Sequence, residues 1–179
     1  EKNKATCLSV LTEEDFFSGS LDHISKIKEK VNLPILCKDF FIDKFQIPLA
    51  RSFGADAILL IVAALNQEQL EDLYTTAMEY KMSVIIEIHS SEEAERITGF
   101  DNSMIGINNR NLKTLKTDLN NTFEIYKILN NFDGILISES GIRNKEDVLK
   151  ISNQTNIKTF LIGESLLKNL DGNSIFSLL

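Results

Sequence analysis
At 179 residues, 43% of them hydrophobic and with charges of both signs well mixed, the chain carries enough apolar material for one full core. A net charge of −7 and a pI near 4.9 exclude nucleic acid and anionic membrane as main partners, since both reward a basic face, but leave room for a local site that takes an anionic small molecule. No apolar run reaches membrane-spanning length and the opening EKNKAT has no signal-peptide pattern, so a cytoplasmic protein is expected. Cys7 and Cys37 both fall in expected strands, without zinc or redox spacing, and read as reduced core thiols.

Strand and helix alternate along the whole chain. ATCLSVL (5 to 11) reads as a strand, and residues 19 to 31 as a helix with Leu21, Ile24, Ile27 and Val31 on one face. LPILCK (33 to 38) is the next strand, followed by a helix over 43 to 53 that stops at Gly54, a good residue just past a helix end. AILLIVA (57 to 63) leads into a helix over 67 to 80, and SVIIEIH (83 to 89) into a short acidic helix with Ser91 as its N-cap. MIGIN (104 to 108), GILIS (134 to 138) and TFLIG (159 to 163) complete seven strands, with helices over 119 to 129 and 144 to 151 between them and short helical pieces near 175 to 179. Continuously apolar strands separated by helices predict a parallel sheet covered on both faces or closed into a barrel, and no linker divides the chain.

Polar residues gather at the carboxyl ends of those strands: Thr12, Lys38, Glu87, Asn108 with Arg110, Glu139 with Ser140, and Gly163. In a parallel barrel these ends form one face, and active sites of that architecture sit there. Lys38 heads the set, because a partly desolvated ammonium at a strand end gives up a proton more readily than one in water. Each residue alone has a plain reading, as a snorkelling lysine, a half-exposed strand end, a turn or a helix cap. An acid, a cation, an amide and a guanidinium around one mouth are far harder to explain that way. The turns SESGIR and LIGESL each hand a strand to a helix start, where backbone N–H groups can cradle phosphate.

In order and at matching spacing, SVLTEEDFFSGSL, LPILCKDFFID, GADAILLIVAAL, IIEIH, GINNRNL, SESGIR and LIGESLL resemble the successive signatures of the indole-3-glycerol phosphate synthase family of tryptophan biosynthesis. The resemblance covers nearly the whole chain and implies a (β/α)8 TIM barrel, a single domain over 1 to 179. Its implied activity is a carboxy-lyase one: 1-(2-carboxyphenylamino)-1-deoxyribulose 5-phosphate becomes indole-3-glycerol phosphate with loss of carbon dioxide and water, with no metal or organic cofactor. Carried over by motif, Lys38 is the general acid of ring closure and Glu87 the proton-transferring glutamate. Asn108 and Arg110 hold the substrate, Glu139 and Ser140 line the site, and Phe17, Phe40, Leu60 and Leu112 form the apolar wall. Ser140, Gly141, Gly163 and Glu164 form the phosphate grip, on condition that the Glu164 carboxylate points away from the anion. A sister isomerase of phosphoribosylanthranilate fits the glycine turns but not Lys38 with Glu87 and GINNRNL.

The first strand here resembles the family's second, so the resemblance covers strands two to eight only. The family's first strand, with its E-x-K pattern, has no counterpart among these residues, and 179 is short of the roughly 250 typical of the fold. A truncated product, a degraded gene and an assembly that supplies the strand from another chain all fit. Two expectations follow: the chain by itself turns over poorly, or it is a non-catalytic module that keeps the phosphate site. An open edge also leaves self-association through that edge as a partner mode, beside a small phosphorylated substrate.

Overall fold
The computed structural model describes residues 1, 4–97 and 99–168; the expected helical pieces near 175 to 179 lie outside them. Two compact units are distinguished, Glu1–Ile86 and Glu87–Leu179.

In the first unit the strands are β1 (Leu8–Leu11), β2 (Ile35–Lys38), β3 (Ala57–Ile61) and the start of β4 (Ser83–Ile88), hydrogen-bonded in that order. β1 and β2 pair in parallel with Leu11 opposite Lys38, and β2 and β3 with Cys37 opposite Ile58. Ile35 to Cys37 and Ile58 to Ile61 are buried, as strands covered on both faces must be. Helices α1 (Asp22–Lys28), α2 (Gln46–Ser52) and α3 (Gln67–Glu79) connect them, with a 3-10 turn at Val62–Ala64 after β3. α3 opens on a capping box, in which the Asn66 side chain accepts from the Gln69 N–H and the Gln69 side chain from the Asn66 N–H. Its buried Leu70, Leu73 and Ala77 follow helical spacing, each large side chain contributing roughly 1.5–3 kcal/mol. α2 ends where Gly54 takes a positive φ of 101°, as its place in the sequence predicts.

Asp56, to which the sequence alone gives no role, ties three elements. Its Oδ2 accepts from Lys28 Nζ at 2.5 Å and from the Ile35 N–H at 2.8 Å, and its own N–H donates to the Ile35 carbonyl. Burial opposes the charged carboxylate, but Lys28, the Ile35 N–H and Arg51 together hold it below the usual range.

In the second unit β4 is followed by β5 (Met104–Asn108), β6 (Leu136–Glu139) and β7 (Thr159–Leu161), again in sequence order, with Asn108 opposite Glu139 and Glu139 opposite Leu161 in parallel pairs. The helices are α4 (Ser91–Glu95), α5 (Asn120–Leu129), α6 (Lys145–Gln154) and α7 (Glu164–Lys168). Thr122, Ile125 and Leu129 of α5 and Val148 and Ile151 of α6 form their buried stripes.

Two expectations are corrected. Ser90, not Ser91, caps α4: Ser90 is extended and accepts from the Glu93 N–H at 3.3 Å, whereas Ser91 is already helical. Cys7 is exposed because β1 begins one residue later, at Leu8, so it is not a core thiol. Cys37 is one, and burial pushes its thiol up to about 11 although Thr12 hydrogen-bonds to it. Among the described residues no helix is long and apolar enough to cross a membrane.

Candidate active site
In the first unit Lys38 is the last residue of β2 and is half-buried. Its carbonyl accepts from the Thr12 N–H at 3.3 Å, and the Thr12 hydroxyl donates to Asp39 Oδ2 at 2.5 Å, so the strand ends of β1 and β2 are laced beside the lysine. Phe17 and Phe40 are exposed on the loops that follow, and Leu60 is fully buried in β3. A cleft of about 470 Å³ is lined by Thr12, Ser20, Leu21, Phe53 and the carboxylates of Glu13, Glu14, Asp22 and Asp39. Its charge repels a phosphorylated ligand, so the polar strand ends remain the better candidate.

The second unit builds its site around Glu87, which is 2% exposed near the end of β4. A carboxylate buried this far requires partners. The Asn108 side-chain amide donates to Glu87 Oε1 at 3.0 Å, and its side-chain oxygen Oδ1 in turn accepts from the Arg110 backbone N–H at 2.9 Å, which fixes the amide's orientation. His89, two residues on, places Nε2 3.1 Å from the same Glu87 oxygen and Nδ1 3.4 Å from Glu93 Oε2. Burial disfavours a charged imidazole, yet the two carboxylates override it and push His89 up to about 9.

Arg110 is braced by its own loop. Its guanidinium donates to the Leu115 carbonyl at 3.0 Å, and it pairs with Glu164 Oε2 at 3.3 Å. Glu164 is also paired with Lys168 at 2.7 Å, and those two cations hold its carboxyl below the usual range. Leu112, on the same loop as Arg110, is exposed.

The SESG turn has an unusual backbone: Ser140 has φ 63° and Gly141 φ 74°. A side chain on Gly141 would meet Thr117 at 3.0 Å, while one on Gly163 would meet nothing within 4 Å. Glu139 is buried at the end of β6, and Gly163 precedes α7, where the Leu166 and Leu167 N–H groups both donate to its carbonyl.

Three residues escape a reading of the sequence. Asn109, in GINNRNL between the two residues singled out there, donates to Ser138 Oγ, the Glu139 carbonyl and the Ser140 carbonyl, and accepts from the Thr122 N–H and hydroxyl. Asn121 donates to the His89 and Asn108 carbonyls, at 3.1 and 2.9 Å. His89 itself was signalled only by its spacing, two residues after Glu87 and four before Glu93. Among the described residues no group of three or more His, Cys, Asp or Glu is placed to hold a metal ion.

The fold belongs to the class of α/β proteins whose parallel strands alternate with helices as in a (β/α) barrel. It resembles crystal structures of 3-hexulose-6-phosphate synthase, with a TM-score of 0.72 at 10% identity over 94% of this chain and 84% of that one, and of a 3-keto-L-gulonate-6-phosphate decarboxylase from Vibrio cholerae, with a TM-score of 0.71 at 17% identity over 94% and 81%. At those identities the likeness speaks for architecture alone. The model of the indole-3-glycerol phosphate synthase family matches residues 1–178, and the chain belongs to that family. It is 45% identical to the indole-3-glycerol phosphate synthase of Bacillus cereus over 176 residues, 98% of this chain and 69% of the relative. It is 46% identical to that of Prochlorococcus marinus over 181 residues, 98% of this chain and 61% of the relative. These relatives support the enzyme reading over the non-catalytic one.

Proposed function
We propose that this chain carries out the ring closure and decarboxylation that give its family its name, with 1-(2-carboxyphenylamino)-1-deoxyribulose 5-phosphate as substrate and indole-3-glycerol phosphate, carbon dioxide and water as products. The observation that carries this reading is the buried Glu87 held by Asn108 at adjacent strand ends, in a chain matched to the family from end to end. An enzyme that moves protons around a forming ring needs a carboxylate shielded from bulk water and fixed in direction, and Glu87 has both properties.

In this reading Lys38 protonates the ketose oxygen as the anilino ring carbon attacks the carbonyl carbon. The cyclised ring is an iminium-like acceptor, so the electron pair of the breaking C–CO2 bond flows into it and no separate electron sink is required. The hydroxyl formed in ring closure then takes a second proton, from Lys38 once it is recharged from solvent, and leaves as water while a carbon-bound proton passes to Glu87, the acceptor, giving the aromatic indole. Arg110 and Asn108 hold the substrate, the exposed Phe17, Phe40 and Leu112 contact its ring while Leu60, fully buried in β3, does not reach it, and Glu139 and Ser140 line the site. Ser140, Gly141, Gly163 and Glu164 contact the phosphate through backbone N–H groups.

Because the chain has no Trp, indole product can be followed by its fluorescence over a low background. The test adds the substrate to this chain and, in parallel, to a version preceded by the E-x-K strand of a relative. Lys38→Met and Glu87→Gln should each lower kcat by on the order of 10² or more, since each removes a proton-transfer group while keeping its volume. Unchanged rates in either variant would remove that residue from the mechanism, and no indole from either form of the wild-type chain would sink the activity itself.

A further inference from the structure
Glu87 and His89 sit two residues apart at the end of β4, so their side chains leave the same face. The His89 backbone is pinned on both sides: its N–H donates to Glu93 Oε2 at 2.8 Å, and its carbonyl accepts from the Asn121 amide at 3.1 Å. Glu93 is itself anchored in the first turn of α4, whose cap Ser90 holds the Glu93 N–H. The imidazole therefore has little freedom, and its two nitrogens face two carboxylates, Glu87 at 3.1 Å and Glu93 at 3.4 Å.

A neutral imidazole has one N–H and one lone pair, so with two carboxylates it would turn the lone pair toward one of them. Only the doubly protonated ring presents a donor to each. Burial reinforces the point, since the side chains are 9% exposed for His89, 2% for Glu87 and 18% for Glu93, where unbalanced charge is costly. Neither nitrogen has an aligned hydrogen bond, so the attraction is one of charge across short distances; Asn108 supplies the aligned bond to Glu87. Among the described residues of this unit, the titratable groups paired with the ring are Glu87 from β4 and Glu93 from α4; α5 contributes the uncharged Asn121 amide, and β5 the uncharged Asn108 amide on Glu87.

We propose that His89 is a positioning residue: clamped as an imidazolium between Glu87 and Glu93, it keeps the Glu87 carboxylate ionised and aimed beside Asn108, ready to accept a proton. The inference rests on the proton-acceptor role proposed above for Glu87. Glu93 is its second half, because it supplies the charge that keeps the ring protonated.

The experiment labels Glu with 13C and His with 15N in the full chain and follows the Glu87 carboxyl carbon and the His89 ring nitrogens against pH, in the wild type, His89→Gln and Glu93→Gln. In the wild type both ring nitrogens should be protonated at pH 7. His89→Gln should raise the Glu87 midpoint by about one pH unit or more, the effect of losing an opposite charge at this range. Glu93→Gln keeps an oxygen for the His89 N–H and should lower the His89 midpoint, and it serves if His89→Gln does not fold. A neutral His89 at pH 7, or an unmoved Glu87 midpoint, overturns the proposal. With substrate, the acid limb of kcat/KM should move up together with the Glu87 midpoint, and a fixed limb beside a shifted midpoint also overturns it. No turnover with a shifted midpoint overturns the activity and supports the clamp.

Discussion
Asn109 shows how much one uncharged side chain can organise. Buried at 3% exposure, it gives its amide hydrogens to Ser138 and to the carbonyls of Glu139 and Ser140, and takes the Thr122 N–H and hydroxyl on its oxygen. The end of β6, the start of α5 and the SESG turn are thereby joined at one residue. Asn109→Asp keeps the shape but turns an acceptor toward two carbonyl oxygens and buries an uncompensated charge. The expected loss of stability is about 3 kcal/mol or more, read from urea unfolding. A variant within about 0.5 kcal/mol of wild type, the usual range of a surface change, would show that the network is dispensable.

At the scale of elements, the two glycine turns of the proposed phosphate grip differ in a way that separates folding from binding. Gly141, at φ 74° and with Thr117 at 3.0 Å from any added Cβ, is required by the backbone, whereas Gly163 faces open space. Gly141→Ala should therefore destabilise the chain by about 1–2 kcal/mol and weaken anion binding. Gly163→Ala should leave the unfolding midpoint unchanged and weaken binding alone, because its methyl would fill the approach to the backbone. Phosphate titration followed by amide NMR shifts measures both, with affinity falling as salt screens the exposed anion. Shifts at Asn108 but not at Gly141, Gly163 and Glu164 would place the anion elsewhere.

Over the whole molecule, His89 and Asp56 set opposite ends of a pH window. His89 is raised from 6.5 to about 9 on folding, so its contribution is fully present below 6.5 and is lost as pH rises through about 9. Asp56 is lowered, so its contribution is present above the ordinary carboxylate value and is lost as pH falls through the depressed one. The stability gap between wild type and His89→Gln should be widest near pH 6 and close as pH passes 9, measured by denaturant unfolding across pH. A gap that stayed constant would mean that the ring is not charged in the folded chain.

Strand and helix order, and the placement of Lys38, Glu87, Asn108 and Glu139 near strand ends, were legible in the sequence because they follow from local periodicity: apolar runs of strand length, helical spacing, and a polar residue where each run stops. The family signatures were legible for the same reason, being contiguous stretches of chain. The clamp on His89, the hub at Asn109, the Asp56 tie and the pairing of Arg110 with Glu164 were decided only in the tertiary structure. Asn109 and Ser140 are 31 residues apart, and Arg110 and Glu164 are 54 apart. No local pattern encodes which donors meet which acceptors across such distances, or how far burial and neighbouring charge then move a proton.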